Sequence, residues 1–412
     1  MSNQSKKYVY GLLDNGFSSE DINKGINVLR SRQITMASNT REFEKVFAKK
    51  LGVKHALMVN SGSSANLLAV YAAGNPLRKN RFNPGDEVLI PVLCWPTSLW
   101  PLVQFGLKPV FVDINISTLN VMEDLLIKKI TKKTKAIMLI NVLGLSSDLF
   151  KIKNFAKKNN LIIIEDNCES LGSKLNNKYL GTFGDFGTFS FFYSHQVTAG
   201  EGGMVTCNND EDYEILFSLR SHGWLGGTRF YPRNWKRFNY FAKKYPNLDP
   251  RYIFINSGFN VRPTDIQAAI GLNQFKRLES FVINRNKNGE KIILSIKNSK
   301  NWKNQLSFID PPANIKPSWM VFPIIIDPKY KKFKKNFIKY LENHGIETRP
   351  VISGSFINQP ASKIYNLFKK GETYQNAQMI EDLGFVIGLH TKKISSKLVT
   401  FLSEKLLMIG KE

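Results

Sequence analysis

The chain has 412 residues, with 58 basic against 33 acidic side chains, a formal charge of +25, and 42% apolar and 22% charged content. This composition is globular and excludes a disordered chain, and roughly 100–200 residues per domain gives two to four domains, or one large domain with a satellite. Three scattered cysteines, Cys94, Cys168 and Cys207, exclude a disulfide scaffold and disfavour a cysteine-held zinc or iron–sulfur site.

The opening MSNQSKKYVYGLLDNG has no apolar h-region and no small-residue cleavage site, so no signal peptide is expected. The longest apolar stretch, AIMLINVLGL, falls well short of the ~20 residues that span a bilayer. A soluble cytoplasmic protein with no membrane partner is the expected class. The positive charge invites a nucleic-acid reading, but the lysines are dispersed and no aromatic–basic interleaving supports it. Attraction to anionic, phosphate-bearing substrates fits the same charge.

Along the chain, REFEKVFAKKLGV (41–53) sets Phe43, Phe47 and Leu51 on one helical face that ends at Gly52. NSGSSANLLAVYAAG (60–74) reads as a small-residue turn entering an apolar helix. EVLIPV (87–92), KPVFVDI (108–114), KAIMLINVLG (135–144) and LIIIEDN (161–167) are short, apolar and mostly β-branched. Helical stretches such as DLFKIKNFAKKNN (148–160) separate them. Near-continuous apolar strands alternating with helices predict an α/β fold with a parallel sheet covered on both faces. Further on, KYKKFKKNFIKY (329–340) spaces Tyr330, Phe333 and Phe337 as an amphipathic helix with a solvated lysine face. The tail is expected to form a smaller C-terminal α/β domain, giving units of 1–284, with N-terminal helices, and 285–412.

Ligands of open α/β sheets bind beyond the carboxyl ends of the strands, so polar groups there are the candidates. Ser61-Gly62-Ser63-Ser64 opens a helix and suits a phosphate, although an ordinary helix cap reads the same way. Asp166 ends the most apolar strand with Glu169 three residues on; it suits a protonated ring nitrogen, a ribose or a metal, or else an ion pair or cap. GTFSFFYSHQVTAGEGGMV (187–205) places Ser190 and His195 in a hydrophobic strand that breaks into a glycine turn. His195 is either structural or a proton carrier with a pKa near neutrality.

The ordered set SGSSAN, EDNCES, FSFFYSHQVTAGEGG and GFNVRPTDIQAAIGL (258–272) resembles the DegT/DnrJ/EryC1/StrS family of sugar aminotransferases, from about residue 25 to the C-terminus. The resemblance implies the aspartate-aminotransferase-like fold (PLP fold type I), with a mostly parallel mixed sheet flanked by helices. It also implies pyridoxal 5'-phosphate as cofactor and a nucleotide-linked keto sugar as substrate. Where the aminotransferases carry the lysine that holds PLP covalently, this chain has His195. The cofactor is therefore expected to be held non-covalently as pyridoxamine 5'-phosphate (PMP), as in the family's sugar 3-dehydratases. CWPTSLWPL (94–102) and LRSHGW (219–224) carry the same likeness. A second branch, the CDP-sugar 3-dehydratases, uses an iron–sulfur cluster. The segment RSHGWLGGTRFYPRNWKRF contains no cysteine, so no cluster is expected.

By this resemblance Gly62, Ser63 and Ser190 hold the cofactor phosphate, and Asn260 reaches it from a partner subunit, which implies a homodimer with shared sites. Asp166 pairs with the pyridine nitrogen, Trp95 stacks on the ring in place of ordinary core packing, and Glu169 orients the cofactor. His195 is the catalytic acid and base, His222 either reaches in from the neighbouring subunit or is a structural loop histidine, and Arg349 either contacts the sugar or its diphosphate or forms a surface ion pair. Ala37 stands where relatives usually have glycine, which bears on local loop shape alone. The implied reaction removes the C3 hydroxyl of a 4-keto-6-deoxy sugar, GDP-linked, with glutamate as amino donor. An aminotransferase using non-covalent PMP and a catalytically inactive binding relic are the alternatives.

Overall fold

The computed structural model describes residues 8–14, 16–225, 236–249 and 252–411. The first seven residues of the N-terminal segment, and residues 226–235 of the cysteine-free segment, lie outside the described residues.

Nine short strands form in the first half of the chain: β1 (His55–Val59), β2 (Glu87–Pro91), β3 (Lys108–Val112), β4 (Thr134–Ile140), β5 (Ile162–Asp166), β6 (Lys174–Leu175), β7 (Lys178–Tyr179), β8 (Phe186–Ser190) and β9 (Gly203–Cys207). Seven of them make one sheet in the order β1-β9-β8-β5-β4-β2-β3. Every pairing from β8 to β3 is parallel, and β9 runs antiparallel to both its neighbours. All side chains of β5, β8 and β9 are buried, as expected of strands with helices on both faces. The sheet is thus mixed and mostly parallel, as the sequence predicted.

Five further strands follow: β10 (Leu306–Phe308), β11 (Ile315–Lys316), β12 (Val321–Ile326), β13 (Thr348–Arg349) and β14 (Gly384–Gly388). Four of them form a second, antiparallel sheet in the order β10-β12-β14-β13, while β11 joins β6 and β7. The expected boundary at 285 falls inside the long helix Leu278–Lys297, which packs against the helix Ser396–Leu406 and buries Arg285 and Asn288.

Two local expectations are corrected. His195 is not in a strand: β8 stops at Ser190, and the chain enters a turn in which the His195 N–H donates to Phe192 O at 3.1 Å. The lysine-rich stretch at 329–340 is not one helix. It begins as a 3-10 segment, Pro328–Phe333, because Pro328 opens it, and becomes α-helical over Lys334–Asn343 with Phe337 buried.

The helix Ser38–Leu51 ends at Gly52 in the left-handed region, as read from the sequence, but starts earlier than expected. Its N-cap, Ala37, has no side chain to cap with. The carboxylate of Asp265, on the helix Asp265–Phe275, accepts from the backbone N–H of Ala37 and Thr40 at 2.9 and 2.8 Å instead.

The last two residues of β5 point to opposite faces of the sheet, as strand geometry requires. Glu165 faces the turn before β8 and accepts backbone N–H bonds from Gly181, Phe183 and Gly184 at 2.9, 2.5 and 2.6 Å. This fully buried carboxylate sets where β8 begins. Glu165→Gln replaces one acceptor oxygen by a donor facing those N–H groups. It is expected to cost about 2–4 kcal/mol, measured by denaturant unfolding.

Candidate active site

A cavity of about 600 Å3 opens at the carboxyl edge of the seven-stranded sheet, where it meets the second sheet. Its wall is built from the segments that follow β1 (Ser61, Gly62, Ser63), β2 (Trp95, Thr97, Ser98), β5 (Cys168, Glu169) and β8 (Phe192, Ser194, His195). Arg349, Pro350 and Ile352 enter from the second sheet, and Glu201 from the glycine turn. Parallel strands deliver all their carboxyl ends to one edge, which is why residues distant in sequence meet there.

Asp166 closes the cavity floor. Its carboxylate is buried and accepts from Asn66 Nδ2 at 2.7 Å, Ser98 Oγ at 2.6 Å and the Cys168 N–H at 3.1 Å. Asn66 is itself held: its Oδ1 accepts from Thr188 Oγ1 at 2.6 Å. Two helices and two strands thus fix one carboxylate, which keeps it ready to pair with a proton-bearing cation.

Next to it the helix Gly62–Ala73 begins, capped by Ser61, whose hydroxyl accepts from the Ser64 N–H at 3.1 Å. The free N–H groups of the first turn point into the cavity mouth. Gly62 has no room for a side chain: a Cβ there would lie 2.6 Å from Ser190 Cβ and 2.9 Å from Cys168 Sγ. The close packing brings the Ser190 hydroxyl beside this helix N-terminus in the cavity wall, and that combination of hydroxyls and helix N–H groups suits a phosphate. Trp95 is 54% exposed at the cavity wall, so it is not a core residue; its indole face is available to a planar ring.

Three titratable groups in the wall are displaced from their ordinary ranges, and burial with the nearby Asp166 charge pushes the Cys168 thiol well up. Burial pushes the Glu169 carboxyl up to about 7, aided by the nearby Asp166 charge and opposed by the Leu143 N–H that donates to it at 3.2 Å. Burial pushes His195 down to about 4, with the charge of Arg285 acting in the same direction. The expectation of a nearly unperturbed histidine is therefore corrected: the residue is half-buried, but its Nδ1 is enclosed without a partner, so the charged form is disfavoured.

Eight of the ten residues singled out from the sequence line this cavity: Gly62, Ser63, Trp95, Asp166, Glu169, Ser190, His195 and Arg349. Arg349 lines the cavity while its Nη2 pairs with Glu347 Oε1 at 2.6 Å. His222 and Asn260 are not in the cavity. They sit together on the surface, joined through Arg262, which donates to Asn260 Oδ1 at 3.0 Å and lies 3.5 Å from His222 Nε2. His222 holds a positive φ of 62° in a tight turn where Gly223 faces Asn256 O. Asn66 and Ser98 were missed. Asn66 was legible, because it lies one helical turn beyond Gly62 on the same face; Ser98 carried no such signal.

The sequence matches the DegT/DnrJ/EryC1/StrS aminotransferase family over residues 17–396. The chain belongs to that family. Within the family it is 36% identical over 365 residues to a GDP-4-keto-6-deoxy-D-mannose 3-dehydratase of Escherichia coli O55:H7, covering 88% of this chain and 91% of the relative. An E. coli GDP-4-keto-6-deoxy-D-mannose-3-dehydratase structure with bound hydrated PLP superposes with a TM-score of 0.86 at 33% identity, covering 97% of this chain and all of that one. A further structure of GDP-4-keto-6-deoxymannose-3-dehydratase, with a trapped PLP–glutamate adduct, matches equally well, with a TM-score of 0.86 at 33% identity over 96% of this chain and all of that one.

The shift of Glu169 gives a direct test. A carboxyl resonance titrating with a midpoint near pH 7 is expected in carbon-13 NMR of glutamate-labelled protein, and it should be missing from the Glu169→Gln spectrum. A spectrum in which every glutamate titrates below pH 5.5 contradicts the enclosure of Glu169.

Proposed function

We infer that this chain is a PMP-dependent 3-dehydratase that removes the C3 hydroxyl from a GDP-linked 4-keto-6-deoxy sugar, with glutamate as amino donor. One observation carries this reading: among the described residues no lysine lines the cavity, while a neutral imidazole does. An amine is needed to store PLP covalently, and an imidazole cannot take that role; it can accept and return protons.

The cavity suits the cofactor. The helix N-terminus at Gly62, with the Ser63 and Ser190 hydroxyls in the cavity wall, matches a phosphate, and the fixed carboxylate of Asp166 matches a protonated ring nitrogen. When bound, the cofactor supplies an amine for the C4 ketone and an electron-accepting ring for loss of the C3 hydroxyl. Gly62, Ser63 and Ser190 bind the phosphate through backbone and hydroxyl donors. Asp166 keeps the ring nitrogen protonated, Trp95 covers the ring and Glu169 orients it. His195 takes and returns a proton at its ring nitrogen, and its low proton affinity leaves it free to accept throughout the neutral range. Arg349 turns from Glu347 towards the diphosphate or sugar. Asn260 and His222 complete the site from a second copy of the chain in a homodimer, which accounts for their placing on the outer surface. The protein is cytoplasmic on this reading; among the described residues no helix is long and apolar enough to cross a membrane. Residues 1–284 form the cofactor-binding unit and 285–412 the smaller one.

The overall conversion balances: the sugar loses its C3 oxygen, glutamate becomes 2-oxoglutarate, and ammonia is released. Incubation with PLP, glutamate and GDP-4-keto-6-deoxymannose is expected to yield a sugar lighter by one oxygen, with ammonia, by mass spectrometry and ammonia assay. A product with an amine in place of its ketone would return the chain to the aminotransferases. Unchanged substrate would overturn the GDP assignment if a dTDP- or CDP-linked analogue is converted, and the dehydratase reading if none is.

His195→Lys places an amine where the imidazole stands. Dehydration is expected to fall by about 10²-fold or more, and some amino transfer should appear. Undiminished dehydration in that variant contradicts the role given to His195.

A further inference from the structure

The turn that carries His195 leaves β8 at Ser190 and reaches β9 only at Gly203, so contacts outside the sheet must hold it. One support comes from Gln196, whose Nε2 donates to the carbonyls of Glu169 and Ser318. The other comes from the long helix Leu278–Lys297. Arg285 on that helix is completely buried, and its Nη2 donates to the carbonyl of His195 at 3.3 Å while its Nε donates to Leu389 O at 3.0 Å. The fork therefore ties three pieces of the molecule together: the helix, the residue after β14, and the His195 turn.

A buried guanidinium is costly unless a carboxylate neutralises it. Here Nη1 has no partner among the described residues. The acidic group that acts on Arg285 is Asp14, and its carboxylate is engaged by the backbone N–H of Thr391 and Lys392. Burial consequently pulls even the guanidinium down to about 10, yet it stays charged at neutral pH. Tying down a carbonyl does not require a cation; a neutral donor would do that without the desolvation cost. The charge has to be explained by what it faces.

We propose that Arg285 is a positioning residue for His195, which clamps the turn through its carbonyl and sets a fixed positive charge behind the imidazole. This rests on the reading of His195 as the proton-transfer group. The other charged groups around the cavity are Asp166 and Glu169 from the end of β5, Glu201 from the glycine turn and Arg349 from β13, with Asp14 behind Arg285. Of these charges, Arg285 is the one that bears on His195, and it acts with burial to favour the neutral ring. The sign follows: a histidine whose proton affinity is lowered stays neutral down to acid pH, so the acceptor form is complete from about pH 5 upward. Without the charge, burial still holds the titration below the ordinary histidine value of about 6.5, but the midpoint rises from about 4.

The test is histidine NMR of the full-length protein, following the Cε1–H resonance assigned to His195 by its loss in His195→Asn. In Arg285→Gln, which retains a donor but not the charge, the His195 midpoint is expected to rise by about one pH unit or more, a tenfold change in proton affinity. Dehydration should then fall about twofold at pH 5 relative to pH 8. In Arg285→Lys the charge remains while the fork is lost, so the midpoint should stay low and kcat should fall several-fold at every pH with KM little changed. A His195 midpoint unmoved in folded Arg285→Gln overturns the electrostatic role, whatever reaction the enzyme catalyses. Should the Gln variant not fold, Arg285→Lys decides alone: unchanged kcat overturns the clamp, and reduced kcat with a low midpoint supports it. Because the NMR midpoint is read without substrate, a missing dehydratase activity leaves this test intact.

Discussion

Everything in the cavity is arranged around one buried negative charge, the carboxylate of Asp166. A carboxylate removed from water is tolerated only if its oxygens are given donors. Asn66 and Ser98, from two different helices, and the Cys168 N–H supply them. Those donors fix the register of two helices against β5, and the first turn of one of these helices lines the cavity at Gly62 and Ser63. The anion site and the cation-pairing site are therefore a single rigid unit. Their spacing is set by the hydrogen bonds that make the charge affordable.

The same strand end does structural work on its other face. Glu165 gathers the N–H groups of the 181–184 turn, and so determines where β8 starts and where it releases the chain. The chain leaves β8 at Ser190 and turns through His195 back to the glycine turn and β9. Two adjacent carboxylates, one per face, thus place the cofactor-pairing group and, through β8, the imidazole. The buried Arg285 closes the arrangement through the His195 carbonyl, so the turn that carries the imidazole is held by Gln196 on one side and Arg285 on the other.

Much of this was legible beforehand. The alternating apolar strands and helices gave the mostly parallel sheet, because a strand buried on both faces is apolar along most of its length and admits a polar residue only where donors or acceptors meet it. The site residues near the strand ends were legible because glycine, serine and carboxylates are out of place beside runs such as IIIED unless they bind something. The histidine in place of a lysine was legible at the level of one residue. Local conformation was less so: Pro328 diverts the start of a lysine-rich helix, and β8 ends before the histidine, where alternating aromatic residues continue the strand-like pattern.

The sequence by itself determined the fold class, the elements that meet at the cavity and the chemical types of the residues they bring. These depend on periodicity and residue identity, which are local. Only the tertiary structure decided that Asn66, Ser98 and Thr188 serve Asp166, that Trp95 faces the cavity rather than the core, and that His222 and Asn260 lie outside it. It alone decided the proton affinities of Glu169 and His195. Those are set by desolvation and by charges from distant segments, such as Arg285 ninety residues along the chain, and no local pattern encodes either.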